Sequence, residues 1–476
     1  MKSRTQFRWE RFADYKSEWP AMSKKFRLIL SLVGAVGLLT ASLFAASLAA
    51  TTGTQGAGAA AGAARNAAIV ATTQAVLRET SEVRQLTILR PVKSGAQSRS
   101  EIERMVIRNL DEQTTPADMH ATEVALRKLG LVPQGFEYRS FVVKLLTEQV
   151  AGYYDPKAQQ FYLADWIELE GQKPVMAHEL THALQDQHFN LRRFEQWPKG
   201  DADSELAAHA LIEGDATLAM TLYMAKNPLV ALAFIRSVAS TQTSSEQIQK
   251  APRALRESLV FPYQEGSEWA TQVYKRGGWS LVSEAYKQLP QSTEQILHPE
   301  KYFVREAPVK VSLPELRPVL GQNWKRLDYD VNGEWSYYLI LDEFLKDSTE
   351  SRRAAAGWAG DRYALYQGSG PGEVLLGQVT VWDSENDARE FFDAYAKRTL
   401  RRYPDAKAID TVSGRPSAAA ASHTQNANGQ VLPSERRTWQ TAEGGVVLEL
   451  RGTRVTILEG IPPGGNGEGL LRVVWQ

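Results

Sequence analysis

The stretch VMAHELTHALQDQHF, residues 175–189, places three histidines and two acidic residues within a helical apolar pattern. His178 and His182 are four positions apart, so on a helix they lie about 40° apart on one face and one turn along the axis. One cation can therefore contact both imidazoles. Glu179 lies about 100° around the helix from His178, close enough to reach a water on that cation without binding the ion itself.

This spacing is typical of hydrolytic zinc sites. Zinc lowers the pKa of its bound water to about 7 and polarises a carbonyl, while a nearby carboxylate takes the proton and delivers it to the leaving amine. The sequence contains no cysteine, so histidine and carboxylate side chains are the available zinc ligands. We therefore predict one Zn²⁺ ion bound by His178 and His182, with Glu179 as the catalytic base.

The first candidate for a third ligand is His188. It follows His178 by ten positions, which is the spacing of the metzincin pattern H-E-x-x-H-x-x-G-x-x-H. However, Gln185 occupies the glycine position, where a left-handed turn is costly for glutamine. If the helix continues instead, His188 points about 120° away from His182 and lies about 9 Å further along the axis.

The second candidate is Glu213, in the stretch SELAAHALIEGDATLAM. Glu205, His209 and Glu213 recur every four residues and form one polar stripe on an otherwise Ala/Leu-rich helix. We favour Glu213, because a two-His-one-Glu set leaves the fourth zinc position for water. Three further side chains are candidates for orienting a ligand, with a solvated or ion-paired role as the alternative: Asp186, His209 and Asp215.

An uncharged apolar run, residues 28–50, dominates the N-terminal part and is long enough to cross a bilayer. Eight basic residues lie in the leader, residues 1–27, which predicts a cytoplasmic leader and export of the rest of the chain. The small residues Ser47 and Ala49 favour a cleaved signal peptide and a secreted or periplasmic protein. The length of the run favours an uncleaved membrane anchor. A start at Met22 would leave an ordinary signal-peptide leader.

The length of 476 residues and the shifts in composition predict two folded parts. We interpret the Ala/Gly-rich residues 51–83 as a spacer. Residues 84–320 have mainly helical patterns, with a β-hairpin predicted in VAGYYDPKAQQFYLAD, residues 150–165. Residues 325–476 predict a small α/β domain, in which residues 412–435 form a mobile polar loop.

The sequence disfavours nucleic-acid binding and a second membrane span. The formal net charge is zero, which gives no reason to expect a nucleic-acid partner. Residues 216–235 are apolar enough to suggest a second membrane span. Lys226, Asn227 and Pro228 in the middle of that stretch favour two buried helices instead.

The motif His178–His182, followed by ALIEGDA at residues 210–216, resembles the gluzincin-type zinc metallopeptidases, including exported bacterial members. The resemblance covers about residues 100–305, and HELTH is its specific part. It implies a mostly helical zincin-like α+β fold and a peptide or protein substrate. It also implies that QFYLAD, residues 160–165, is the edge strand against which a substrate backbone lies.

The same resemblance implies roles for individual residues. The implied zinc ligands and catalytic base are His178, His182 and Glu213, with Glu179 as the base. Ile212 and Thr217 depart from the thermolysin-like subgroup, which has Asn and Asp at those positions. The chain therefore resembles a divergent gluzincin.

A downstream His or Tyr commonly stabilises the oxyanion in gluzincins, which makes His298, Tyr302 and Tyr263 candidates on their chemistry. Ser292 and Gln295 predict the capped start of a helix, so a structural role for the neighbourhood of His298 is the alternative.

Together these patterns predict an exported, membrane-tethered zinc peptidase whose N-terminal helix is its contact with the membrane. Two other interpretations remain open. One is a non-catalytic envelope binding protein that keeps the metal for stability, and the other is a zinc hydrolase of a non-peptide amide. The residues of the C-terminal part do not decide whether it positions substrate or binds a partner.

Overall fold

The computed structural model describes residues 55–166, 169–194, 197–198, 200–240, 250–414 and 434–476. Within these ranges the chain forms fifteen α-helices and two β-sheets, which confirms the α+β class. The predicted leader and the apolar run, residues 28–50, lie outside the described residues. Among the described helices none alone is long and apolar enough to span a membrane. One pair, Ala202–Lys226 with Pro228–Ser237, passes that test by length and composition, but it is bent by 114°.

The elements before the larger sheet are mostly helical. They are, in chain order, α1 (Gln55–Arg84), β1 (Lys93–Gln97), α2 (Arg99–Gln113), α3 (Pro116–Leu129), α4 (Tyr138–Gln149), β2 (Gly152–Asp155), β3 (Gln160–Ala164), α5 (Lys173–Phe189), α6 (Ala202–Lys226), α7 (Pro228–Ser240), α8 (Arg253–Ala285), α9 (Thr293–Leu297), α10 (Pro299–Phe303) and α11 (Arg317–Leu320). Several start at side-chain caps that the sequence indicates. For example, Ser292 Oγ accepts a hydrogen bond from the backbone N–H of Gln295 at the start of α9.

The remaining elements alternate between strands and helices. They are β4 (Lys325–Asp330), α12 (Gly333–Leu345), α13 (Ser348–Ala355), β5 (Trp358–Gln367), β6 (Val374–Trp382), α14 (Glu385–Arg402), β7 (Lys407–Gly414), β8 (Ser434–Thr441), β9 (Gly444–Arg451), β10 (Arg454–Ile461) and α15 (Gly467–Val474). The predicted loop 412–435 is therefore too long at both ends, because β7 and β8 extend into it. Its central part, residues 415–433, lies outside the described residues.

Residues 51–83 are not a spacer over the part that the structure describes. Residues 55–84 form α1, which packs against α5 and α6. Its buried side chains recur at three- and four-residue intervals, the period of a helix with one face in a core: Ile69, Thr73, Val76, Leu77, Thr80 and Arg84. The low-complexity start hides this pattern, which becomes apolar only in the second half of the helix.

The smaller sheet has the strand order β1-β3-β2 and confirms the predicted hairpin. β2 runs antiparallel to β3, and β1 runs parallel to β3 on its other side. The expectation that QFYLAD is an edge strand is therefore wrong, because β3 is central. The residues of β1, KSGAQ, are polar and contain glycine, so no strand pattern identified them. β2 is the edge strand next to α5.

The larger sheet has seven strands in the order β4-β5-β6-β10-β9-β8-β7. Every pairing in it is antiparallel, including that of β9 with β10. α14 packs against strands β6, β9 and β10. One continuous hydrophobic core contains residues of α6 and of this sheet, for example Leu211 and Ile457. The helical part and the sheet part thus share buried surface.

Two glycines allow α6 and α8 to pack at close range. A Cβ atom added at Gly214 would overlap the carbonyl group of Gly266, and one added at Gly266 would overlap the carbonyl of Ala210. Only glycine can occupy such positions without moving a backbone. The contact lies immediately beside Glu213 in the sequence, so it fixes where that carboxylate stands.

We expect Gly214→Ala to lower the free energy of unfolding by at least about 1–3 kcal/mol, because the added methyl group forces α6 and α8 apart. Chemical denaturation of the purified protein measures this loss. Gly467→Ala is the matched control, since a Cβ there meets only a side-chain carbon of Ile461 at 3.4 Å. Equal stability of the two variants would contradict the proposed helix contact.

Candidate metal centre

α5 carries both histidines of the motif. It begins at Lys173 with Pro174 in its first turn and runs without a break to Phe189. Asn190 ends it in a left-handed conformation, with φ of 56° and its N–H bonded to the carbonyl of Asp186. Because the helix is continuous, His178 and His182 stand one turn apart on the same face, as predicted.

Three donor atoms from α5 and α6 meet at one point. His178 Nε2 lies 3.1 Å from Glu213 Oε2 and 3.2 Å from His182 Nε2. His182 Nε2 lies 3.4 Å from the same carboxylate oxygen. In a tetrahedral zinc site with bonds of about 2.0–2.1 Å, neighbouring donors are about 3.3–3.4 Å apart. The three donors thus have the type and the spacing that a zinc ion requires.

The electrostatics of this cluster favour positive charge at its centre. Burial acts to lower the pKa of His182, but the Glu213 carboxylate outweighs it and raises the pKa to about 9. Burial likewise acts to raise the pKa of Glu213, but His182 and His178 hold it well below its usual range. A cation bound there would displace the proton from His182, so metal binding would release a proton.

The structure brings Glu213, and not His188, to the histidine pair. His188 Nε2 lies 2.7 Å from the backbone oxygen of Thr87. The reason is the continuation of α5 past Gln185, which directs His188 away from the face that carries His182.

Glu179 lies beside the cluster and is partly exposed. Its Oε2 accepts a hydrogen bond of 3.0 Å from the backbone N–H of Tyr154 in the edge strand β2. Burial raises the pKa of Glu179, and the charges of His182 and His178 act against this rise. The carboxylate is therefore held by the strand next to the donor cluster without being one of the three converging groups.

Gln185 supports the site, and the sequence analysis missed this role. Its Oε1 lies 2.8 Å from His182 Nδ1, and its Nε2 lies 3.0 Å from Asp215 Oδ2. Asp215 therefore contacts the predicted ligand His182 only indirectly, through Gln185. This agrees in part with its prediction as a residue that orients a ligand. By contrast, His178 Nδ1 is buried and has no hydrogen-bond partner among the described residues.

The other two orienting candidates do not contact the donor cluster. Asp186 accepts hydrogen bonds from Tyr154 Oη at 2.9 Å and from Arg90 at 2.8 Å. It therefore supports the strand that holds Glu179 rather than a ligand. His209 is exposed and lines a cleft next to Glu213.

Of the three oxyanion candidates, Tyr263 is the one beside the donors. Its ring stacks on that of His178, with centroids 6.0 Å apart, and the charge of Glu213 raises the pKa of its hydroxyl well above the usual value. His298 Nε2 instead lies 2.9 Å from Glu334 Oε1. Tyr302 Oη donates to the carbonyl of Gln288. Neither of these two residues lines the cleft that contains Tyr263.

A cleft of about 1230 Å³ opens next to Glu213 and Tyr263. α6 contributes its polar stripe, and β4 of the larger sheet contributes residues 326–330. Arg362 of β5 also lines the cleft and donates a hydrogen bond to the carbonyl of Gly200. The cleft is therefore built jointly by the helical part and the C-terminal sheet.

A second group of carboxylates surrounds the ammonium group of a lysine. Glu294, Glu306 and Asp383 lie close enough together to hold an ion. The ammonium group of Lys301 lies 2.7 Å from each of the two glutamates and 2.5 Å from Asp383. This lysine already supplies the positive charge that the three carboxylates need.

Comparison with known families concerns the C-terminal sheet. The family model described as a domain of unknown function (DUF8575) matches residues 322–469. No curated protein and no solved structure matches the chain. The matched range contains all seven strands of the larger sheet and none of the converging donors. The comparisons therefore assign no function to the candidate metal centre.

We expect the purified full-length protein to retain about one zinc ion per chain after dialysis, as three converging protein donors predict. Glu213→Ala should empty the site, because only two imidazoles remain. Elemental analysis by mass spectrometry measures the ratio. His188→Ala is the control and should keep its zinc; loss of zinc in that variant alone would contradict the assignment of Glu213.

Proposed function

We propose that the protein is a zinc-dependent peptidase that hydrolyses peptide bonds with Glu179 as general base. The single observation that supports this most strongly is the convergence of His178, His182 and Glu213 with the Glu179 carboxylate beside them. A purely structural zinc site is normally closed by four protein ligands, whereas a three-donor set leaves a position for water or substrate. The described residues offer three such donors.

The roles of the chain's own groups follow from their positions. His178, His182 and Glu213 would hold the ion. When bound, zinc lowers the pKa of a coordinated water and polarises the scissile carbonyl. Glu179 accepts the proton of the attacking water and passes it to the nitrogen of the leaving amine. The N–H of Tyr154 keeps the carboxylate in place for both transfers.

Tyr263 is suited to stabilise the negative charge that develops on the carbonyl oxygen. A phenol hydroxyl next to the reacting group can donate a hydrogen bond to an oxyanion. Stacking on His178 orients the half-buried ring. Tyr263 and Glu213 line the same cleft, so the phenol lies beside one of the three donors.

The size and position of the cleft support an extended chain as substrate. The stripe from Glu205 to Glu213 covers nine residues of helix, and the eight steps between its ends span about 12 Å. This length corresponds to three or four residues of extended peptide. The edge strand β2, and not QFYLAD, would pair with a substrate backbone near Glu179. The cleft lining contributed by β4 implies that the C-terminal sheet contacts the substrate as well.

The cellular location rests on the sequence. The apolar run, residues 28–50, and the basic leader before it support a membrane-anchored protein with its catalytic part outside the cytoplasm. Cleavage after the run would release the same catalytic part as a secreted or periplasmic enzyme. Determining the N-terminus of the mature protein distinguishes the two.

We expect Glu179→Gln to keep its zinc and to lose hydrolysis of a peptide library by about 10²–10⁴-fold, because the amide cannot accept the proton. Product analysis by mass spectrometry gives the rate and the cleavage sites. Glu170→Gln is the control, because Glu170 is an exposed acidic residue in the short turn that precedes α5. A wild-type protein that holds zinc but cleaves no peptide would contradict the proposal.

We expect Tyr263→Phe to lower kcat by about 10²-fold with little change in KM or zinc content, because the lost hydroxyl interacts mainly with the transition state. Steady-state kinetics on a peptide cleaved by the wild type provides the measurement. A rise in KM with unchanged kcat would instead assign Tyr263 to substrate binding. His298→Ala, at a residue outside the cleft, should leave both constants near the wild-type values.

A further inference from the structure

A chain of buried polar side chains runs from the N-terminal helix to the metal centre. Arg84, the last residue of α1, forms two bonds to the carboxylate of Asp215, of 2.5 and 3.1 Å. Asp215 accepts a bond of 3.0 Å from Gln185 Nε2, and Gln185 Oε1 lies 2.8 Å from His182 Nδ1. Arg84, Asp215 and Gln185 are fully buried.

Each link in this chain has a fixed orientation. Arg84 also lies over the ring of Trp279, 4.4 Å from its centroid, and donates to Ser283 Oγ. Tyr286 Oη donates a further bond of 2.9 Å to Asp215. The saturated carboxylate leaves one orientation for the Gln185 amide, whose Nε2 also donates to the carbonyl of Ile212.

The orientation of the Gln185 amide determines which ring nitrogen of His182 carries the hydrogen when the imidazole is neutral. With Nε2 committed as a donor to two oxygens, Oε1 faces the imidazole and accepts a hydrogen bond from the N–H at Nδ1. The histidine then presents its Nε2 lone pair to the donor cluster, which is the form that binds a metal. His178 has no corresponding partner among the described residues, so the two ligands are supported unequally.

We propose that Arg84 positions the metal ligand His182 through Asp215 and Gln185, so that the helix following the N-terminal apolar run belongs to the metal-binding unit. Stability alone does not account for this arrangement, because a buried ion pair is often no more stabilising than apolar side chains of the same size. The inference rests on the proposed metal centre. It adds a positioning role for three residues that bind no substrate.

Gln185→Met tests the link nearest the metal. Methionine keeps the volume but cannot accept the hydrogen bond from His182 Nδ1 as the amide oxygen does. The full-length variant should bind Zn²⁺ and Co²⁺ about 10–100-fold more weakly in a chelator competition, the usual effect of losing such a partner. The visible absorption spectrum of bound Co²⁺ should also change, which a loss of fold stability alone would not cause.

The chain offers a matched control two residues away. Gln187 lies on the same helix and also makes three hydrogen bonds, all to the backbone of Leu89 and Arg90. Gln187→Met should therefore leave metal affinity and the Co²⁺ spectrum unchanged. Equal loss of affinity in both variants, or unchanged affinity and spectrum in Gln185→Met, overturns the inference while leaving the metal centre intact.

The double variant Arg84→Met, Asp215→Met tests the remote end and serves if Gln185→Met does not fold. It replaces the buried ion pair by apolar side chains, so the protein should remain folded. Metal affinity should fall, but less than in Gln185→Met, because Gln185 keeps its bond to Ile212. Unchanged affinity excludes Arg84 from the role. A wild-type protein that binds neither ion overturns the metal centre itself, and this inference with it.

Discussion

The structure depends on holding two imidazole nitrogens and one carboxylate oxygen within 3.1–3.4 Å of one another. Polar atoms this close and this buried are costly unless a positive charge lies among them. A proton on His182 would meet that need in part, and the proposed zinc ion would meet it more completely. The contacts of α5 and α6 with α1, α8 and β2 keep the two helices in the register that this convergence requires.

Two kinds of contact fix that register. Gly214 and Gly266 let α6 and α8 approach until their backbones touch, which sets the depth of Glu213. The ion pair of Arg84 with Asp215 ties α1 to α6. The edge strand β2 then places a backbone N–H against Glu179. Helix packing, the buried ion pair and the edge strand thus each fix the position of a different group in the same site.

The parts of the site that follow local periodicity could be predicted from the sequence. The four-residue spacing placed His178 and His182 on one face, and the polar stripe on an Ala/Leu-rich helix identified Glu213. Partners distant in sequence could not be predicted in this way. Nothing local connects Arg84 to Asp215. In the sequence, Gln185 stands out only because it occupies the glycine position of the metzincin pattern. Its support of His182 emerges only when α5 and α6 lie side by side.

The fold shows the same division between local and distant signals. The helical pattern before the motif, the hairpin of β2 and β3 and the mixed C-terminal part were visible in the sequence. The polar strand β1 was not visible in the sequence. Because β1 pairs with β3, QFYLAD is central and the edge strand next to α5 is β2. α1 was mistaken for a spacer because its first half has almost no side chains that can pack. Only contact with α5 and α6 gives its second half a buried face.

The C-terminal sheet gains a functional interpretation from its position. Its β4 residues and Arg362 line the cleft that leads to Glu213, although its own sequence carried no catalytic signal. A substrate held there would contact both parts of the chain. X-ray absorption spectroscopy at the zinc edge of the full-length protein tests the central claim most directly. The account predicts a four-coordinate ion with two imidazoles and light-atom bonds of about 2.0–2.1 Å. A shell of six oxygens, or one with a single imidazole, would contradict it.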